Sequence, residues 1–182
     1  ARNDLTADAE VYNLDGALME KKTVMVTAAA NQKTPVLTLE KPPGLSDVHF
    51  IRLLLKAGQK TVSENFYWDG NTYEHYAALN TLPRVALDLS GSAHIDGDET
   101  VVSATLHNGT RTIAFMPRLE LLKAGSGERV LPTFYTDNYL SLLPGESRTI
   151  TARCKIEDLA GMKPRLHLDG YNIAPASLDL AF

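Results

Sequence analysis

Residues 134–154 read FYTDNYLSLLPGESRTITARC and join an aromatic and polar cluster, a Pro-Gly turn and a run of alternating character. In that run Ile150, Ala152 and Cys154 face one side of an extended chain while Thr149, Thr151 and Arg153 face the other, the period of a half-buried β-strand. Pro144 and Gly145 punctuate a turn before it. The segment is therefore predicted to belong to the folding core of a β-domain. Why Asp137, Asn138 and Tyr139 precede it is a separate question, with a binding site as the other reading of the cluster.

The same period recurs on either side. LTADAEVY, residues 5–12, places Leu5, Ala7, Ala9 and Val11 on one face and Thr6, Asp8, Glu10 and Tyr12 on the other. NLDG supplies a turn, and KKTVMVTA, PVLTLEK, VHFIRLLLKA and TVSENFYW read as four more strands between Gly, Pro, Asn and Ser punctuation. The alternation stops in GNTYEHYAALNTLPR, residues 70–84, which marks a domain junction, and a short helical turn fits there. Beyond it VALDLSG, ETVVSATLHN, IAFMPRLELL, RVLPTFY, NYLSLL, SRTITARC and RLHLDGY are seven strand candidates, the count and spacing of an immunoglobulin-like sandwich. The fold class is thus all-β, two tandem immunoglobulin-like β-sandwich domains over 1–80 and 81–182. LLKAG occurs at 54–58 and at 121–125, each followed by an aromatic FY pair. The two copies fall at different points of their halves, so resemblance between two hairpins accounts for them as well as a repeat does.

Composition narrows the function classes. The 182 residues carry 18 Lys plus Arg against 22 Asp plus Glu, a net charge of -4 with no basic stripe, so nucleic acid is not an expected partner. No apolar run reaches the length of a membrane span, and ARNDLTADAE lacks the apolar core of a signal peptide, so the chain reads as soluble and already processed or excised. Cys154 is the single cysteine, which excludes an internal disulfide and a cysteine-based zinc site and reads as a small core residue.

The chemistry-bearing residues form no catalytic pattern. His49, His75, His94, His107 and His167 are scattered without ligand spacing, and the Asp96, Asp98, Glu99 cluster in HIDGDET lacks the remaining oxygens of a calcium loop and reads as a hairpin turn. Neither a nucleophile elbow nor a dinucleotide or phosphate loop is present. No metal, no cofactor and no catalytic residue is expected in this chain. Carbohydrate-contact candidates remain: the aromatic Tyr67 and Trp68 in one cluster, and the aromatic Tyr135 and Tyr139 with the polar Asp137 and Asn138 in the other.

FIRLLLKAGQKTVSENFYW, residues 50–68, resembles the immunoglobulin-like domain that follows the catalytic barrel in glycoside hydrolase family 2 enzymes of the β-mannosidase and exo-β-glucosaminidase type. AFMPRLELLKAGSGERVLPTFYTDNYLSLLPGESRTITARC, residues 114–154, with LHLDGYNIAP after it, resembles their final domain, and the run from Asp137 to Thr149 is its most specific part. The resemblance implies a non-catalytic accessory region of an exo-glycosidase, with an upstream (β/α)8 barrel of the same polypeptide as partner and carbohydrate as a further one. It also implies a secreted or periplasmic location and a first sandwich lacking N-terminal strands. In the family-like arrangement the Asp137–Tyr139 triplet starts a strand, Tyr139 packs inward, and Asp137 and Asn138 organise the preceding loop. An independent carbohydrate-binding module and a structural or adhesive pair of sandwiches stand as the alternatives.

Overall fold

A computed structural model describes the backbone of residues 2–182 and the side chains from residue 4 onward. The chain divides into two compact units, Ala1–Leu82 and Pro83–Phe182.

The first unit is one antiparallel sheet. Strands β1 (Arg2–Asn13), β2 (Leu18–Ala28), β3 (Val48–Ala57) and β4 (Lys60–Gly70) lie in the order β2-β1-β3-β4. NLDG closes the first hairpin, with Asn13 N–H donating to the Ala17 carbonyl and Gly16 at φ +88°. On one face Leu5, Ala7, Ala9 and Val11 stand beside their β3 partners Ala57, Leu55, Leu53 and Ile51. The expected PVLTLEK strand is not formed: residues 35–41 have no ladder, and Val36, Leu37 and Leu39 instead line, with Ala7, Ala9, Leu53 and Leu55, a cavity of about 450 Å³ on that face. That contact covers Leu37 and Leu39 in part without strand pairing while Val36 stays exposed, and the prolines at 35, 42 and 43 remove ladder donors.

The other face is polar yet buried. Asp8 accepts from Lys56 Nζ (2.6 Å) and Thr23 Oγ1 (2.7 Å), while Glu10 accepts from Lys21 Nζ (2.7 Å) and Tyr12 Oη (2.7 Å). Arg52 continues the ladder, 3.9 Å from Glu10 and 2.9 Å from Glu64. The junction segment winds into a 3₁₀ helix over Tyr73–Thr81 that buries Leu79.

The second unit is a two-sheet sandwich. Its strands are β5 (Asp88–Asp96), β6 (Glu99–His107), β7 (Pro117–Lys123), β8 (Phe134–Tyr135), β9 (Ser147–Lys155), β10 (Pro164–Gly170) and β11 (Ala176–Asp179). One sheet runs β5-β6-β9-β8 and the other β11-β10-β7, the four-plus-three arrangement of a constant-type immunoglobulin domain. Between them Val102, Ala104 and Leu106 of β6 and Ile150, Ala152 and Cys154 of β9 meet a core that includes Leu119, Leu121, Leu166 and Leu168. The alternation read in SRTITARC therefore has the expected facing. Burial pushes the Cys154 thiol up to about 11, with the nearby Asp158 and Glu99 carboxylates adding to it.

The strand reading needs four corrections here. IAFMPRLELL becomes a strand only from Pro117, because Met116 takes a left-handed backbone (φ +52°) that interrupts an extended chain. RVLPTFY contributes two strand residues, and NYLSLL touches the first part of its neighbour through a single bridge, Ala114 to Leu142. Asp137–Tyr139 thus lies in a connection rather than at the start of a strand. The strand β11 has only the short sequence ASLD and passes unread. HIDGDET is a hairpin in which Asp96 pairs with Glu99, leaving Gly97 (φ +63°) and Asp98 as its loop. Both LLKAG copies run from the end of a strand into the following turn, but β3 pairs with the next strand β4 whereas β7 pairs with β10, so the two do not close equivalent hairpins.

Candidate functional site

Strands β7 and β10 pair so that Arg118 faces Asp169 and Glu120 faces His167 on the outer side of the three-stranded sheet. Alternation makes this placement unavoidable: Leu119 and Leu121, Leu166 and Leu168 are consumed by the core, so the intervening residues point outward. Arg118 grips Asp169 with both arms, Nε to Oδ1 at 2.8 Å and Nη2 to Oδ2 at 2.5 Å, and its Nη2 lies 3.3 Å from Glu120. Arg129 Nε reaches the other Glu120 oxygen at 3.0 Å. The Arg118 guanidinium holds the Asp169 carboxyl below the usual carboxylate range, and Asp169 in turn raises the Arg118 pKa.

Glu120, His167 and Asp169 place ligand-type atoms within 4.8 Å of one another. Arg118 and Arg129 already supply the positive charge these carboxylates need, so the set is an ion-pair network rather than a prepared cation site. Two neighbouring carboxyls are also the residue types a glycosidase uses. Both carboxyls are instead taken up by arginines, Asp169 by Arg118 and Glu120 by Arg118 and Arg129, so neither is left free for acid or nucleophile work.

Next to the network lies a cleft of about 300 Å³ lined by Met116, Arg118, Tyr139, Asp169, Gly170 and Tyr171. Three of these have unusual backbone. Tyr139 sits at φ +54° and Met116 at φ +52°, while a Cβ on Gly170 would come within 2.6 Å of the Met116 carbonyl oxygen. Tyr171 is fixed by an edge contact with Phe115, ring centroids 5.4 Å apart.

Of the six residues singled out from the sequence, the cleft takes only Tyr139. That side chain is 56% exposed, so the expected inward packing is corrected: a left-handed backbone turns it outward. Asn138 organises the loop, as expected, by accepting from Leu119 N–H and donating to the Leu119 carbonyl, both at 2.9 Å. Asp137 accepts from the Asn138 N–H at 2.8 Å. Tyr135 is half-buried, and its hydroxyl accepts from Leu121 N–H at 2.8 Å, tying one sheet to the other. Tyr67 and Trp68 lie on the edge strand β4 of the first unit, opposite Ile51 and Phe50, and as consecutive strand residues they face opposite sides. Sequence reasoning missed Arg118, Asp169 and Tyr171. Their signal is the cross-strand charge match of PRLEL with RLHLDGY, which is visible only once the register is known.

Two families match this sequence. Residues 65–173 match the one described as the exo-beta-D-glucosaminidase Ig-fold domain, and residues 3–69 match the mannosidase Ig/CBM-like domain. The exo-beta-D-glucosaminidase of Amycolatopsis orientalis is 30% identical across 94% of this chain, and that of Streptomyces avermitilis 29% identical across all of it. The chain spans only 19% and 23% of those two proteins. The crystal structure of the Amycolatopsis orientalis exo-chitosanase CsxA superimposes with a TM-score of 0.87 at 27% identity, covering 97% of this chain and 24% of that one. With an all-β architecture, a seven-stranded sandwich and a match over more than half its length, the chain belongs to the Ig-fold domains of the exo-β-D-glucosaminidases in glycoside hydrolase family 2.

Proposed function

We propose that this chain is the non-catalytic accessory region of an exo-β-D-glucosaminidase, carried on a polypeptide whose catalytic (β/α)8 barrel lies upstream. The observation that carries the reading is a similarity across both units to enzymes of which this chain spans only 19% and 23%. The charge arrangement supports it. The close carboxylate pair Glu120 and Asp169 is neutralised by two arginines, and Asp8 and Glu10 are saturated by lysines and hydroxyls. None of these four is poised as acid or nucleophile.

The region then acts as a buttress for the barrel, holding its own shape through the sandwich core and the ion-pair ladder. A polymeric substrate of the kind a relative's name implies cannot enter a cell, which favours a secreted or periplasmic location for the parent protein. Aryl β-glucosaminide hydrolysis provides the test. The 182-residue chain is expected to give no turnover and the full polypeptide to give turnover that survives Asp169→Asn and Glu120→Gln. Turnover by the chain alone, abolished by either substitution, overturns the reading.

A further inference from the structure

We propose that the cleft between the start of β7 and the end of β10 is a saccharide subsite, in which Tyr171 and Tyr139 take the faces of a pyranose and Arg118 with Asp169 hydrogen-bonds its hydroxyls. A pyranose presents an apolar face of C–H groups and an equatorial rim of hydroxyls, so its site needs an aromatic plane beside a fixed polar fork. The cleft supplies both within one loop cluster, and its volume of about 300 Å³ suits one sugar ring.

Three independent features mark it as built. Tyr171 is 45% exposed yet held by the buried Phe115, so its ring is presented in a fixed orientation with little further ordering on binding. Arg118 is clamped on Asp169 in a planar bidentate pair, leaving further guanidinium N–H groups and carboxylate lone pairs for ligand hydroxyls at fixed positions. Tyr139 and Met116 hold left-handed backbone conformations that a non-glycine residue keeps only when its surroundings over-determine it. A loop shaped only for stability would place glycine or asparagine there. Instead the strain puts a tyrosine ring at the cleft mouth, 56% exposed, where it contributes little to the core.

The inference rests on the family reading only in the choice of sugars to test. Glucosamine, N-acetylglucosamine and glucose oligosaccharides of equal length are titrated into the 182-residue chain and followed by two-dimensional amide NMR. The expected result is saturable shifts at residues 116–118, 139 and 169–171 with a Kd on the order of 1 mM. Shifts with the glucosamine series alone identify an amino-sugar subsite, and shifts with all three identify recognition of the pyranose itself. Tyr139→Gly is the decisive variant. It removes the ring and also the left-handed penalty, so the melting temperature is expected to equal or exceed that of the parent while affinity falls at least tenfold. Tyr171→Phe is expected to retain binding and Tyr171→Ala to lose it, with Tyr67→Ala unchanged. No saturable shift with any series, or shifts indifferent to Tyr139→Gly, overturns the subsite. Hydrolytic activity of the full polypeptide bears on the family reading separately, because a protein can have that activity with this cleft empty.

Discussion

Three asparagines close the loops of the second unit, and each does so with a side-chain amide that imitates a strand edge. Asn172, 3% exposed, accepts from Phe115 N–H at 2.8 Å and donates to the carbonyls of Pro83 (3.0 Å) and Ile113 (2.9 Å). Asn108, fully buried, donates to the carbonyls of Thr112 and Leu142, and Asn138 brackets Leu119 as described. Asn172→Leu keeps the volume but strands three backbone groups, and an unpaired buried group costs about 1–3 kcal/mol. Partial relaxation leaves an expected loss of roughly 3 kcal/mol, measured as a lower urea midpoint for the second unit with its slope unchanged. The role of Asn138 in its loop was readable, but that of Asn172 was not, because asparagine signals a turn and its partners lie 57 to 89 residues away. Ile150 is the opposite case. Its inward facing was readable from the alternation alone, and it is 2% exposed. Ile150→Asp buries an unpaired carboxylate at a cost of several kcal/mol and is expected to unfold the second unit, whereas Thr151→Asp, half-exposed, is expected to leave it folded. Equal melting temperatures for the two variants would place the register wrongly.

At the scale of elements, strand β1 shows how far alternation reaches. It predicted one apolar and one polar face, and both exist, yet the polar face is buried too, because four basic and hydroxyl side chains from β2 and β3 cover Asp8 and Glu10. Hydrogen bonds from Lys56 and Thr23 lower the Asp8 pKa against its desolvation. For Glu10 desolvation is the largest effect and raises the pKa, but bonds from Lys21 and Tyr12, with the positive charges of Lys21 and Arg52, outweigh it. Both carboxyls therefore titrate below their unfolded values, so their contribution is full above the unfolded carboxylate range near pH 4 and is lost as pH falls through the lowered values. The first unit of an Asp8→Asn, Glu10→Gln double variant is expected to lose less stability between pH 6 and pH 3 than the parent, measured by urea titration at each pH. A parallel fall in both proteins would mean that other groups carry the acid sensitivity. Segment 35–41 marks the limit of the same reasoning. Period-two apolar residues predict a strand in PVLTLEK, but the pattern carries no information about whether a neighbouring strand is there to pair with it.

For the molecule as a whole, the contrast between the units is one of core. The buried hydrophobic cluster that extends from Val85 to Leu180 belongs entirely to the second unit, while the first has one sheet with a cavity under its covering segment. Limited proteolysis is accordingly expected to degrade the first unit and leave a fragment of about residues 83–182, identified by mass. The two-unit, all-β organisation was readable from strand spacing and punctuation. The cleft was not, because it is assembled from the ends of two strands and a loop that only the sandwich brings together. One compositional accident gives this contrast an experimental handle. The only tryptophan, Trp68, lies on β4 of the first unit, and the only cysteine, Cys154, lies in the core of the second. Indole fluorescence is thus a private signal of the first unit, and thiol labelling, suppressed while Cys154 stays buried and protonated, is a private signal of the second. Each unit is already tagged with its own reporter, so a single denaturant series read by emission and by thiol trapping resolves two unfolding curves without any label being engineered.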